Sequence, residues 1–326
     1  MRRVRVGVIG VGGMGSFHAR TLASLPGVDV VVVADVIGHH VAALTADLGC
    51  EGSLDPVATA SRADLDGVVV ATPDETHPTL AIAALEAGSM VLCEKPLATT
   101  LDEALRVVDA EVAVGRRVVQ LGFMREYDPA HVQLTEELAS IGTIDFVRLV
   151  HRNANRERRP LDRIIVQSLV HEAHSVRFLS GAEVTEVAAF GGGAERGSFR
   201  HVLVRAALSN GGHASLEFDD GGFAYEVTAE VLGRDGDALT GPPLRAVTRR
   251  GGTVSSRIGD DWFGWFADAY RIQDAAWADS VRAGRATGPS TWDGYVAQIV
   301  VDAVTRSLAE SRSVAVEPPD RPTIYA

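Results

Sequence analysis

The run VRVGVI (4–9) passes directly into Gly10-x-Gly12-x-x-Gly15, and a helical pattern begins at about Gly13. No other feature constrains the fold so tightly. The glycine spacing alone is a weak signal. After a buried strand and at the start of a helix it describes a phosphate-binding turn. Gly10 allows the tight turn, Gly12 lets a pyrophosphate approach the backbone, and Gly15 lets helix and strand pack closely. Gly13 and Met14 complete the loop. The helix start offers N–H donors and a partial positive charge. The competing reading is a glycine-rich turn without a ligand.

Asp35 favours the ligand. It ends a second apolar run, VDVVVVAD (28–35), 20 positions after Gly15. A carboxylate there can accept hydrogen bonds from ribose hydroxyls. A helix N-cap is the plainer alternative. A 2′-phosphate would meet like charge, and Val36 and Ile37 supply no arginine to offset it. NAD is therefore expected over NADP.

Further apolar runs at 66–72, 89–95 and 116–122 alternate with helical patterns at about 38–48, 76–87 and 100–114. Apolar strands alternating with helices imply a parallel sheet covered on both faces. The pattern changes after Gly122. A helix at about 128–140, a strand at 143–153 and a second helix precede VTEVAAF, HVLVRAALS, HASLEFD and AYEVTAEVLG. Glycine-rich turns separate these strands, so a largely antiparallel sheet is expected. Helices follow at about 262–283 and 292–310. The expected fold class is an α/β Rossmann domain with a parallel sheet, residues 1–122. An α+β domain with a large open, mostly antiparallel sheet, residues 123–326, follows it. The last helix is a candidate to pack back on the first domain.

Composition narrows the function classes. A formal net charge of −12 disfavours a nucleic-acid or anionic-membrane surface. No apolar stretch is long enough to span a membrane. The basic start MRRVRVGVIG leads into a strand and a turn, not a signal peptide. Cys50 and Cys93, without a CxxC pair, read as thiols in a reducing cytoplasm, not as a disulfide framework or a structural zinc site.

With CEKPLATT (93–100) the chain resembles the Gfo/Idh/MocA oxidoreductase family. ATPDETHP (71–78) looks like the family's loop beside the nicotinamide and brings in Thr72, Pro73 and His77 as cofactor residues. GFMREYDPAH (122–131), VHRNAN (150–155) and WFADAYRIQDAAWADSV (265–281) look most like the inositol 2-dehydrogenase branch. The resemblance implies that Glu94-Lys95-Pro96 lies between cofactor and substrate, often with a cis Lys–Pro bond, and that Glu94 supports Lys95. Arg125, Tyr127, His151, Asn153 and Trp262 are pocket residues by resemblance only. Tyr270 and Trp277 are expected as helix core. The chemistry is consistent with this. A lysine ammonium can hydrogen-bond the reacting oxygen and stabilise its developing negative charge.

VQSLVHEAH (166–174) departs from the family pattern. Inositol dehydrogenases commonly carry D-x-x-x-H-x-x-D here. Aligned, the histidine is His171, Gln167 takes the first aspartate position, and His174 takes the second. Spacings of four and three put all three on one face of a helix. The resemblance makes His171 the general base, a role imidazole suits. Gln167 can orient that ring without charging it. His171 and His174 are three apart, not the four of a zinc helix, so no metal is expected. Glu172 is expected to point away as a structural group.

HRNANRERRPLDR (151–163) has arginines at 152, 156, 158, 159 and 163. They favour an anionic substrate, or else form a solvated or inter-subunit loop. The expected activity is NAD-dependent oxidation of a secondary alcohol of a cyclic polyol or sugar, by a homodimer or homotetramer. The alternatives are a sugar acid, sugar phosphate or aminocyclitol as substrate, or a non-catalytic NAD-binding regulatory protein.

Overall fold

VRVGVI forms β1 (Val4–Ile9), the centre of a six-stranded sheet. Its other strands are β2 (Val28–Ala34), β3 (Glu51–Ser53), β4 (Gly67–Val70), β5 (Met90–Cys93) and β6 (Val119–Leu121). All pair in parallel, in the order β3-β2-β1-β4-β5-β6. β4 and β5 are buried at every residue, as strands covered on both faces must be. The order reverses between β1 and β4, where an open α/β sheet forms its ligand crevice. The computed structural model describes residues 3–154, 164–192, 201–222, 224–241, 247–256 and 262–326.

The helices of this half are α1 (Gly13–Ser24), α2 (Gly38–Leu48), α3 (Pro56–Ala60), α4 (His77–Glu86) and α5 (Leu101–Val114). Their starts show how the chain specifies them. Asp55 caps α3 ahead of Pro56, and Thr100 accepts from the N–H of Glu103 to cap α5. The helix α1 has no side-chain cap and no acidic residue in its first turn. The strand β3 and helix α3 are absent from the expected elements, being only three and five residues long.

The second half begins with α6 (Pro129–Glu137), continued by a 3₁₀ turn, Leu138–Ser140. Then come β7 (Ile144–Arg152), α7 (Val170–Ser180), β8 (Val184–Gly192), β9 (His201–Leu208), β10 (His213–Asp219), β11 (Glu226–Gly233) and β12 (Asp237–Leu239). A separate hairpin, β13 (Val247–Arg250) with β14 (Thr253–Ser256), is not among the expected elements. The helices α8 (Trp262–Ala283) and α9 (Thr291–Glu310) and the short β15 (Val314–Ala315) complete the chain. The large sheet runs β12-β11-β7-β10-β9-β8-β15. Its described pairings are antiparallel apart from β7 with β10. On β9 burial alternates strictly from His201 to Ala206, so one face of the sheet is core and the other open.

The chain divides into two compact units. One is residues 1–126 with 269–298 and 319–326; the other is 127–268 with 299–318. The first unit therefore recruits parts of α8 and α9. Trp277 lies in the core cluster with Val8, Val69 and Leu92. It packs so closely on β4 that a Cβ on Gly67 would come within 2.8 Å of its ring. The hydroxyl of Thr291, at the start of α9, donates to Glu111 of α5 at 2.5 Å. Tyr270 and Trp277 are both core residues, as expected.

Candidate active site

In the first unit the glycine turn is built as its spacing implies. Gly10 has φ +81 and lies against Ala71 and Thr72. A Cβ on Gly15 would fall 1.7 Å from the carbonyl oxygen of Gly10, so only glycine lets α1 cross β1 here. A Cβ on Gly12 or Gly13 would meet nothing within 4 Å. That open backbone beside an uncapped helix start fits a pyrophosphate. Met14 is half-buried on the first turn of α1.

Asp35 follows β2 directly and is largely buried. Its Oδ2 accepts from the N–H of Val11 at 2.8 Å, and its Oδ1 from the N–H of Ile37 at 2.9 Å. It is thus a brace of the glycine turn as well as a candidate ribose acceptor. It is not the N-cap of α2, which is Ile37.

The loop after β4 carries Thr72, half-buried, and Pro73, exposed. His77 is buried, with Nδ1 2.7 Å from the carbonyl oxygen of Pro96 and Nε2 2.9 Å from that of Thr72. It ties this loop to the Glu94–Pro96 corner. Both ring nitrogens thus face backbone carbonyls, which fixes the ring in the loop that the resemblance places beside the nicotinamide.

Lys95 is half-buried, two residues beyond β5, and the Lys95–Pro96 bond is cis. The backbone N–H of Lys95 donates to Glu94 Oε2 at 3.3 Å. The other oxygen of Glu94 lies 3.2 Å from Nε2 of His18, whose Nδ1 lies 2.7 Å from Asp274 Oδ1. Sequence reasoning missed His18 and Asp274. His18 shares the buried face of α1 with Gly15, Ala19 and Leu22, a polar residue on an apolar stripe, but its partner lies 256 positions away.

Arg125 and Tyr127 sit on the turn Met124–Tyr127; Arg125 is buried and Tyr127 half-buried.

In the second unit, α7 is preceded by a turn of π-helix, Ile165–Leu169. Gln167 lies in that turn, half-buried. A π turn holds more residues than an α turn, so the step from Gln167 to His171 is not a regular α-helical one. His171 and His174 keep an i, i+3 relation on α7, and both are buried. The ring of His174 stacks on Phe178. Glu172 is fully buried and faces Nδ1 of His151 at 3.0 Å. Nε2 of His151 lies 3.1 Å from Asn153 Oδ1, and Asn153 donates to Asp220 at 3.2 Å. His151 and Asn153 thus join α7 to the end of β7. Trp262 is 39% exposed, edge-on to Phe263.

Arg152 forms an ion pair with Glu226 across β7 and β11. Arg156, Arg158, Arg159 and Arg163 lie outside the described residues. Among the described residues, no group of three or more His, Cys, Asp or Glu is placed to hold a metal. No described helix is long and apolar enough to cross a membrane.

The chain is similar over 99% of its length to inositol 2-dehydrogenase 1 of Saccharopolyspora erythraea, at 39% identity and covering 99% of that protein. It is 36% identical to inositol 2-dehydrogenase of Rubrobacter xylanophilus, over 99% of this chain and 96% of that one. Among solved structures it superposes on myo-inositol dehydrogenase from Lactobacillus casei, in complex with NAD(H) and myo-inositol. The TM-score is 0.94 at 30% identity, covering 99% and 100% of the two chains. Residues 4–123 match the oxidoreductase family with an NAD-binding Rossmann fold, and 147–316 match that family's C-terminal alpha/beta domain. By both matches the chain belongs to the Gfo/Idh/MocA oxidoreductase family.

Proposed function

We propose that this protein oxidises a secondary hydroxyl of a cyclic polyol, an inositol, to the ketone with NAD as the oxidant. One observation carries this reading. Lys95 stands just past the carboxyl end of β5, in the sheet whose glycine turn, Gly10–Gly15, leaves open backbone for a pyrophosphate. Ligands of open α/β sheets bind at those strand ends. The names of the relatives supply the substrate class.

NAD supplies the hydride acceptor when bound. The chain's residues do the rest. The uncapped start of α1 with Gly12 and Gly13 receives the pyrophosphate, and Asp35 selects an unphosphorylated ribose. The Lys95 ammonium hydrogen-bonds the substrate oxygen as its C–H bond breaks. His171 takes the hydroxyl proton, so one hydride and one proton leave the alcohol. Gln167, uncharged, orients His171 without raising its basicity as an aspartate would. Arg125, Tyr127, His174 and Trp262 are the residues the resemblance assigns to the polyol, and His174 in an acid's place would alter the hydroxyl pattern accepted. The ion pair of Arg152 with Glu226 removes one support for an acidic substrate.

The open face of the large sheet presents Phe190 and Leu203, at paired positions of β8 and β9. A second copy covering it would make a homodimer or homotetramer. Cys50 and Cys93, both free thiols, suit the cytoplasm.

The test is turnover with NAD on a panel of inositols, sugars and sugar acids, with Lys95→Met and His171→Ala in parallel. Each substitution is expected to lower kcat by about 10²–10⁴-fold. A protein that NAD stabilises thermally but that turns over no polyol would be the regulatory alternative.

A further inference from the structure

His18 takes no part in the activity proposed above, yet its ring is completely buried with a carboxylate at each nitrogen. To donate to both Asp274 and Glu94 the ring must carry two protons. A neutral imidazole has one N–H and would leave one buried carboxylate facing a lone pair. Burial by itself lowers the affinity of the ring for its second proton. The charges and bonds of Asp274 and then Glu94 outweigh it and raise the pKa to about 10. Phe17 and Tyr270 lie edge-on to the ring, at 6.3 and 6.0 Å.

Three segments meet at this cation. His18 belongs to α1, the helix whose first turn is the glycine turn. Asp274 belongs to α8, and Glu94 directly precedes Lys95. Glu94 leaves no slack between them. One oxygen faces His18, the other accepts from the Lys95 N–H, and a Cβ on Gly122 would come within 2.9 Å of that carboxylate.

We propose that His18 is a positioning residue for the hydride-transfer reaction. Its ring, pinned by Asp274, holds Glu94 and thereby fixes the Lys95 backbone in register with the helix that receives the pyrophosphate. The inference rests on the role given to Lys95 above. Without the imidazolium, Glu94 is a buried carboxylate lacking its counter-charge. It must take up a proton or turn to another donor, and either change loosens the bond to the Lys95 N–H. A displacement of about 1 Å in a reacting group can cost about 10²-fold in rate. Cofactor affinity, set by the glycine turn and Asp35, is not touched by the same change. A brace that merely stabilised the fold would leave the turnover of the folded molecules alone.

His18→Gln, Asp274→Asn and Lys95→Met are compared with the parent, using NAD and myo-inositol. The expected result for His18→Gln is a fall in kcat of at least about tenfold, with the Kd for NAD and the KM for myo-inositol within about threefold. Asp274→Asn should lower kcat in the same way, and adding it to His18→Gln should cost little more. A kcat within about twofold of the parent in both single variants, with only the melting temperature lowered, would overturn the proposal. Should His18→Gln fail to fold, Asp274→Asn decides on the same split. If Lys95→Met turns over normally, the reading of the site fails and this inference falls with it. If Lys95→Met is inactive and the His18 and Asp274 variants are not, only the inference fails. Nitrogen NMR of the parent protein gives a readout independent of turnover. A doubly protonated His18 ring at about pH 8 supports the proposal, and a neutral one overturns it.

Discussion

A side-chain carbon on Gly15 would sit 1.7 Å from the carbonyl oxygen of Gly10, whereas one on Gly12 would touch nothing within 4 Å. The same substitution at the two positions should therefore separate folding from binding. Gly15→Ala must push α1 off β1 and is expected to destabilise the protein by about 1–3 kcal/mol, with or without cofactor. Gly12→Ala should leave the apoprotein within about 0.5 kcal/mol of the parent while removing most of the thermal shift that NAD produces. Melting curves with and without NAD check both. A Gly12→Ala protein that keeps the full NAD shift would mean the pyrophosphate does not use this backbone.

Asp35 accepts from the N–H groups of Val11 and Ile37, and the proposed function gives its charge a second duty toward the ribose. Asp35→Asn removes the charge and keeps one acceptor oxygen. The preference for NAD over NADP, read as a ratio of kcat/KM values, should fall by about tenfold or more. An unchanged ratio would assign the preference elsewhere.

The first unit is legible because its signals are local. β1 runs over the very residues of VRVGVI, the tight turn expected at Gly10 has its positive φ, and the close packing expected at Gly15 has its short clearance. Elements too short to show a period, β3 and α3, escape that reading. So does whatever depends on distant partners. Nothing near His18 announces Asp274, and nothing near Glu111 announces Tyr325. The π turn at Ile165–Leu169 is invisible for another reason: hydrophobic spacing assumes regular helical pitch, and a single wider turn leaves no mark in the composition.

Glu111 shows what the C-terminal residues contribute. It is fully buried on α5, and its Oε1 accepts from the N–H groups of Val118 and Val119 ahead of and within β6. Its Oε2 accepts from the hydroxyls of Thr291 and Tyr325. Tyr325→Phe keeps the ring and removes one donor to a charged acceptor. It should cost about 1.5–3 kcal/mol in urea denaturation and leave kcat unchanged, because none of these groups belongs to the site. A loss of turnover without a loss of stability would contradict that assignment.

The His18 imidazolium gives stability a pH dependence of predictable sign. Its pKa rises from 6.5 in the unfolded chain to about 10 in the folded protein. Below pH 6.5 the ring is charged in both states, and its full contribution is present. Between 6.5 and about 10 the unfolded chain releases a proton that the folded protein retains, so stability falls by about 1.4 kcal/mol per pH unit at most. Burial also raises the pKa of Asp274 above 3.8, with the His18 charge opposing it; a raised carboxyl likewise loses stability as pH increases. The two groups act in the same direction. The stability gap between the parent and His18→Gln, measured by urea denaturation, should be widest at mildly acidic pH and narrow toward pH 10. A gap that widens with pH would show a neutral ring at the centre of the cluster.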